Sequence, residues 1–207
     1  MRYEVPKLIQ RLFPHRLWQI GTAGSSIFLT FDDGPVPGVT DFVLDQLARR
    51  GQMGTFFMVG ENVRKHPSLA KEVLDSGHLI GNHTQHHLNG WKTDFSTYQR
   101  DINLCDQILG EKLGIKTGFF RPPYGLMTPR QARVISREKK IVMWSLLTRD
   151  YEKGLKSEQI LLNSKKLTNP GKIVVFHDQE KTQTLIRNIL PDYLDFLQDQ
   201  GFQTVLL

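Results

Sequence analysis

Seven short apolar runs punctuate the chain: 27–31 (IFLTF), 54–59 (GTFFMV), 78–82 (HLIGN), 118–121 (GFFR), 141–147 (IVMWSLL), 172–177 (KIVVFH) and 202–207 (FQTVLL). Longer stretches lie between them, with apolar residues recurring every three or four positions. The short β-branched and aromatic runs predict strands, and the longer stretches predict helices. Strands that are apolar almost throughout, separated by helices, point to a parallel sheet covered by helices. Seven strands fit either an open doubly wound sheet or a seven-strand barrel, and periodicity does not choose between them.

The helix ends are readable. Thr40 is placed to cap 41–50, with Gly51 beyond it. Pro67 suits a first helical position and Gly77 lies past the end. Ser96 and Gln99 have capping-box spacing for a helix over 97–113. In that helix Tyr98, Ile102, Cys105 and Leu109 share one face, which makes Cys105 a core residue and not a nucleophile. Thr128 and Pro129 open the next helix, Ser157 another, and 182–199 form the last, where Pro191 predicts a kink or a break.

Length and charge narrow the classes. A chain of 207 residues is one domain with a sizeable core. No run approaches the roughly 20 apolar residues of a membrane span. The net charge of +6 favours anionic partners, but the basic residues come in scattered pairs and no nucleic-acid motif is present, so no nucleic acid is expected. The single cysteine excludes an internal disulfide. The first residues lack a secretory pattern, so a cytoplasmic location is expected. Nothing in the sequence speaks to oligomeric state.

The informative polar residues all follow strands. Asp32 and Asp33 follow the first and His83 follows the third. Arg121 ends the fourth and leads into Pro122-Pro123-Tyr124-Gly125, Asp150 lies shortly after the fifth, and His177 ends the sixth. In a parallel α/β fold the carboxyl ends of the strands form the functional face. One carboxylate and two imidazoles make a three-ligand metal site with open positions, and this donor set suits Zn²⁺ or non-haem Fe²⁺. A second carboxylate can serve as general base, and a histidine from another strand as general acid. In the stretch GNHTQHHLNGW, His83 pairs equally well with His86 or His87, three or four positions on. The residues alone leave that choice open.

Thr30-Phe31-Asp32-Asp33-Gly34-Pro35 resembles the first motif of the NodB-homology polysaccharide deacetylases, carbohydrate esterase family 4, and the resemblance extends over 27–207. It implies a single-domain α/β fold, a distorted and incomplete (β/α)7 barrel, with 1–26 as an N-terminal extension packed on the catalytic domain. It implies Asp32 as the base and Asp33 as a metal ligand. His83-Thr84-Gln85-His86-His87 resembles the second motif, which selects His83 and His87 as ligands and leaves His86 on the groove wall. By the same resemblance Arg121 supports the base, the Tyr124 N–H stabilises an oxyanion, and His177 is the acid, oriented by Asp150. Pro123, Tyr124, Tyr151 and Val175 are implied as substrate contacts, and Trp91 is a further candidate for stacking on a sugar face. The fourth motif departs from the family pattern: Leu147 replaces an aspartate and Tyr151 a tryptophan, while Val175 stands where leucine is common. Leu147 and Trp144 read as core residues, and His15, His66 and His78 as structural or exposed.

The resemblance implies metal-dependent removal of N-acetyl groups from acetylated amino sugars, in chitin oligosaccharides, peptidoglycan or a related glycan. Zn²⁺ is the expected metal, with Co²⁺, Ni²⁺ or Fe²⁺ as alternatives, and a carbohydrate is the expected partner. The rival readings are a deacylase of a small cytosolic or lipid-linked sugar, an acetyl ester or another amide, and an inactive sugar-binding module.

Overall fold

In the computed structural model, which describes residues 3–22 and 24–207, the sheet order settles what periodicity left open. The strands are β1 (Ser26–Asp32), β2 (Thr55–Met58), β3 (Leu79–Asn82), β4 (Phe119–Phe120), β5 (Lys140–Ile141), β6 (Leu146–Leu147), β7 (Ile173–His177) and β8 (Gln203–Thr204). Seven of them run in the order β5-β4-β3-β2-β1-β7-β6, and β8 pairs with β1. That order is cyclic, cut only between β5 and β6. A doubly wound sheet would instead reverse direction at a switch point. The strand pairs are parallel. The fold is therefore the expected incomplete barrel.

The run 141–147 is not one strand, as its composition suggested. Its ends form β5 and β6, which lie at opposite edges of the sheet. Residues between them cross the seam: Val142 N–H donates to Phe120 O (2.8 Å), Met143 N–H to Leu17 O (2.7 Å) and Ser145 N–H to Ile173 O (3.1 Å). The run is apolar because the seam is buried, and burial without strand geometry leaves the same trace in a sequence. The N-terminal segment covers these edges. Bridges join Glu4 to Leu146, Leu17 to Val142 and Gln19 to Lys172, and Trp18 is buried. Residues 1, 2 and 23 of the expected extension lie outside the described residues.

The helices are α1 (Lys7–Leu12), α2 (Thr40–Ala48), α3 (Gly60–Lys65), α4 (Pro67–Asp75), α5 (Phe95–Leu113), α6 (Pro129–Ile135), α7 (Ser157–Leu167) and α8 (Gln183–Asp199). Pro67 opens α4 and Thr128 with Pro129 opens α6 as the sequence predicts, and Thr128 and Gln131 also form a capping box. Two caps differ. Asp94, not Ser96, caps α5 by accepting from Thr97 N–H (3.0 Å), while Ser96 Oγ donates to Asp94 (2.6 Å). A carboxylate at a helix N-terminus also gains from the dipole, so it displaces the hydroxyl. Thr40 does not cap α2. Its hydroxyl accepts from Val36 N–H (2.8 Å) and donates to Asp178 (2.6 Å).

α8 runs through Pro191 without the expected break. The carbonyl that loses its helical donor is that of Arg187, an exposed residue where water can satisfy it. Ile186, Ile189, Leu190, Tyr193, Leu194 and Leu197 of α8 are buried, each contributing about 1.5–3 kcal/mol for the larger aliphatics. That stripe outweighs the proline. Among the described residues no helix is long and apolar enough to cross a membrane.

Candidate active site

Strand register brings the polar residues to one rim. Asp32, the last residue of β1, pairs with His177 of β7. Asn82 of β3 pairs with Phe120 of β4, so the next residues, His83 and Arg121, emerge side by side. They open onto a cavity of ≈ 270 Å³ lined by Asp32, Asp33, His83, His87, Pro122, Tyr124, Trp144, Leu147, Tyr151, Val175, His177, Gln179 and Lys181. Of the residues expected to contact substrate, Tyr124, Tyr151 and Val175 line this cavity. Pro123 and Trp91 do not. Pro123 is buried in the turn, and Trp91 is 66% exposed, its indole N–H tied to Met127 O (3.1 Å). Trp144 and Leu147, read from sequence as core, are wall residues as well.

Four backbone conformations at this rim are unusual. Asp33, Thr84, His87 and Tyr124 have φ of 85°, 64°, 55° and 61°. For the β-branched Thr84 this is a marked departure from the preferred regions. Such residues cost about 1–3 kcal/mol each and persist where the surroundings fix them. Here Thr84 N–H donates to Asn82 Oδ1 (2.8 Å), and Thr84 Oγ1 accepts from Leu88 N–H (3.2 Å). The tight turn swings His87 back beside His83, their ring centroids 5.1 Å apart.

Asp33 Oδ1 lies 3.4 Å from His83 Nε2 and 3.0 Å from His87 Nε2. The three donor atoms fall within 4.8 Å of one another, and no other such cluster occurs among the described residues. His83 Nδ1 is 2.7 Å from Arg121 O. A carbonyl only accepts, so Nδ1 carries a proton, which leaves Nε2 as the ring's ligand atom. Asp33 Oδ1 is itself buried with no hydrogen-bond donor. One carboxylate oxygen and two imidazole nitrogens that converge in this way fit a divalent metal. Burial opposes ionisation of Asp33, but the two histidines and the charge of His177 hold its carboxyl well below the usual range. His86 is elsewhere: its Nδ1 bonds Asp101 Oδ1 (2.6 Å), and Asp101 Oδ2 accepts from the Gln85 and His86 N–H groups (3.0 Å each).

Asp32 is 3% exposed and accepts from Arg121 Nη1 at 2.6 Å. The guanidinium has no exposed surface. It also donates to Thr30 Oγ1 (2.8 Å), Met143 O (2.8 Å) and Val142 O (3.3 Å), and stacks 4.1 Å from the Phe57 ring centroid. Across the cavity, Asp150 is fully buried. Its Oδ2 accepts from His177 N–H and its Oδ1 from His177 Nδ1, both at 2.7 Å. The Tyr151 ring meets the His177 ring edge-on at 4.9 Å.

Burial lowers the His177 pKa, but the charge and hydrogen bond of Asp150 outweigh it, with Asp33 and Asp32 adding, and raise it from 6.5 to about 9. A raised folded-state pKa means the pair's stabilisation is full below about 6.5 and is lost as pH rises through about 9. In the metal-free protein, NMR titration of the His177 ring is expected to give a midpoint near 9, and Asp150→Asn to bring it to 6.5 or below. A midpoint unmoved by Asp150→Asn would break the assignment.

Two contributors follow His177 directly and carry no motif signal. Asp178 is buried and takes Gly34 N–H (3.2 Å) and Thr40 Oγ1 (2.6 Å), so it ties the Asp32-Asp33-Gly34 turn to β7. A Cβ at Gly34 would sit 2.1 Å from Asp178 Oδ2, so only glycine allows this approach. Burial, countered by the Thr40 bond and reinforced by Asp33, pushes the Asp178 pKa up to about 8. Gln179 Nε2 donates to Asp33 Oδ2 (2.5 Å), leaving Oδ1 as the oxygen that faces the histidines.

A family profile described as polysaccharide deacetylase matches residues 19–141. A peptidoglycan-N-acetylglucosamine deacetylase of Bacillus cereus is 36% identical over 154 residues, 74% of this chain and 56% of the relative, so the chain spans little more than half of that protein. A chitooligosaccharide deacetylase of Azorhizobium caulinodans is 33% identical over 158 residues, 74% of each chain. The crystal structure of the Bc1960 peptidoglycan N-acetylglucosamine deacetylase superposes with a TM-score of 0.84 at 30% identity, covering 93% of this chain and 91% of the other.

Proposed function

The chain belongs to the polysaccharide deacetylase family, and from that premise we propose that it is a metal-dependent hydrolase removing N-acetyl groups from acetylated amino sugars of a glycan. The observation that carries the reading is the cavity with three separate ionic assemblies on its rim. These are the Asp33-His83-His87 cluster, the Asp32–Arg121 pair and the Asp150–His177 pair.

Asp33, His83 and His87 would hold the metal, and Zn²⁺ suits this nitrogen-rich set. When bound, a divalent cation supplies Lewis-acid charge and makes coordinated water acidic near neutral pH. Asp32, kept in place by Arg121, takes the proton from the attacking water. The Tyr124 N–H, in a turn where Tyr124 has a φ of 61°, would stabilise the oxygen on which charge develops. His177, protonated through its pairing with Asp150, gives its proton to the leaving amine. Leu147, Val175, Trp144 and Tyr151 make the apolar wall that receives the acyl methyl. The relatives named for peptidoglycan and chitooligosaccharide favour a glycan of N-acetylglucosamine as the substrate.

The test uses purified protein, assayed for metal content and for acetate release. The panel holds N-acetylglucosamine oligomers, peptidoglycan fragments, monomeric acetylated amino sugars and an acetyl ester. About one metal per chain is expected. Release from the oligomers should fall to background after chelation and return with Zn²⁺. A loaded protein that releases acetate only from a monomer or an ester would replace the glycan substrate. A protein that takes up no metal would overturn the ligand assignment.

A further inference from the structure

Residues 7–16 place no side chain in the core and take no part in the proposed chemistry; their link to the core is the Phe13 carbonyl, which accepts from the Trp18 indole N–H (3.1 Å). α1 buries none of its side chains, although Leu8, Ile9 and Leu12 make up half of it. Leu8 and Leu12 are 67% and 62% exposed, and Ile9 and Phe13 are 38% and 39% exposed. A surface helix normally turns such residues inward. Single exposed apolar side chains are ordinary, but four within six positions form a patch.

Cations surround that patch. Lys7 and Arg11 are exposed on α1, Arg16 stacks on Phe13 (4.3 Å), and no acidic residue occurs from Val5 to Trp18. Beside it a cavity of ≈ 500 Å³ is floored by Leu12, Phe13, Ala132 and Ile141, and Arg16 and Arg133 also line it. The occupant must therefore offer apolar matter and negative charge together. A second copy docking the same face would set Lys7 and Arg11 against their own counterparts. An anionic bilayer offers both features in one surface.

We propose that residues 7–16, with Arg133, form a peripheral seat for an anionic lipid bilayer. Leu8, Leu12 and Phe13 enter the headgroup–acyl boundary. Lys7, Arg11 and Arg16 meet lipid phosphates. Each cation near such a surface adds about a five-fold factor in binding, so removing two should weaken it roughly 25-fold. The inference stands independently of the deacetylase reading.

The full chain is tested by flotation with vesicles of phosphatidylcholine containing one quarter phosphatidylglycerol, and with phosphatidylcholine alone. Binding to the anionic vesicles is expected, weakening as salt rises. Lys7→Gln/Arg11→Gln should weaken it by that roughly 25-fold factor, and Leu8→Ser/Leu12→Ser should lower it as well, while both melt as the parent does, since none of these side chains is in the core. Equal binding to both vesicle types, no binding, or variants that bind like the parent would overturn the proposal. So would light scattering that shows a dimer dissolved by Leu8→Ser/Leu12→Ser, which would give the face to a second copy.

Discussion

Asp32→Asn is expected to bind metal as the parent does and to lose about 10²–10⁴-fold in turnover, the usual contribution of a general base. Asp32 is not among the three converging donors, so the metal cluster stays complete. The amide has the shape of the carboxylate, and Arg121 dictates its orientation. Nη1 lies 2.6 Å from Asp32 Oδ1 and needs an acceptor, so the amide oxygen must take that place. The amide NH₂ is then the other branch, a donor where the reaction needs an acceptor. Metal content by elemental analysis and acetate release on the same preparation check this. Undiminished release with a full metal site would remove Asp32 from the role of base.

How far the sequence reveals this site depends on where each residue's partner lies. Asp32, Asp33, His83, Arg121 and His177 are legible because a parallel sheet exports whatever follows its strands to one rim, and strand ends can be read from apolar runs. The choice of His87 over His86 is not legible from spacing. It is decided by the left-handed turn at Thr84 and His87 and by Asp101, which holds His86 from a helix turn 15 residues away. Asp178 and Gln179 look like ordinary loop residues, because their partners, Gly34, Thr40 and Asp33, lie 138 to 146 positions distant. Run 141–147 fails as a strand for the converse reason: apolar composition reports burial, and the seam between β5 and β6 is buried without a ladder across it. Ser96 loses to Asp94 because the carboxylate takes the Thr97 N–H at the helix start, and the Ser96 hydroxyl donates to that same carboxylate.

Arg121→Met is expected to cost about 3–5 kcal/mol of stability as well as turnover, the penalty for leaving a buried charge without its partner. Arg121 is one of the largest fully buried side chains among the described residues, and its guanidinium serves Asp32, Thr30 Oγ1 and the carbonyls of Val142 and Met143. Those two carbonyls belong to the seam, so one side chain fixes the proposed base and fastens the open edge of the barrel. Methionine fills much of the volume and supplies no donor. The carboxylate then loses its charged partner, and the two seam carbonyls are left without a donor. The two contributions separate in a double-mutant cycle. Asp32→Asn in the Arg121→Met background removes the stranded charge but leaves the carbonyls unpaired. The double variant should therefore recover about 1–3 kcal/mol over Arg121→Met alone, yet stay below the parent. Denaturant midpoints of the four proteins measure this. If the double variant gains nothing over Arg121→Met, the ion pair does not bear the stress that its burial implies and Arg121 acts only on the seam; if Arg121→Met is as stable as the parent, neither role holds.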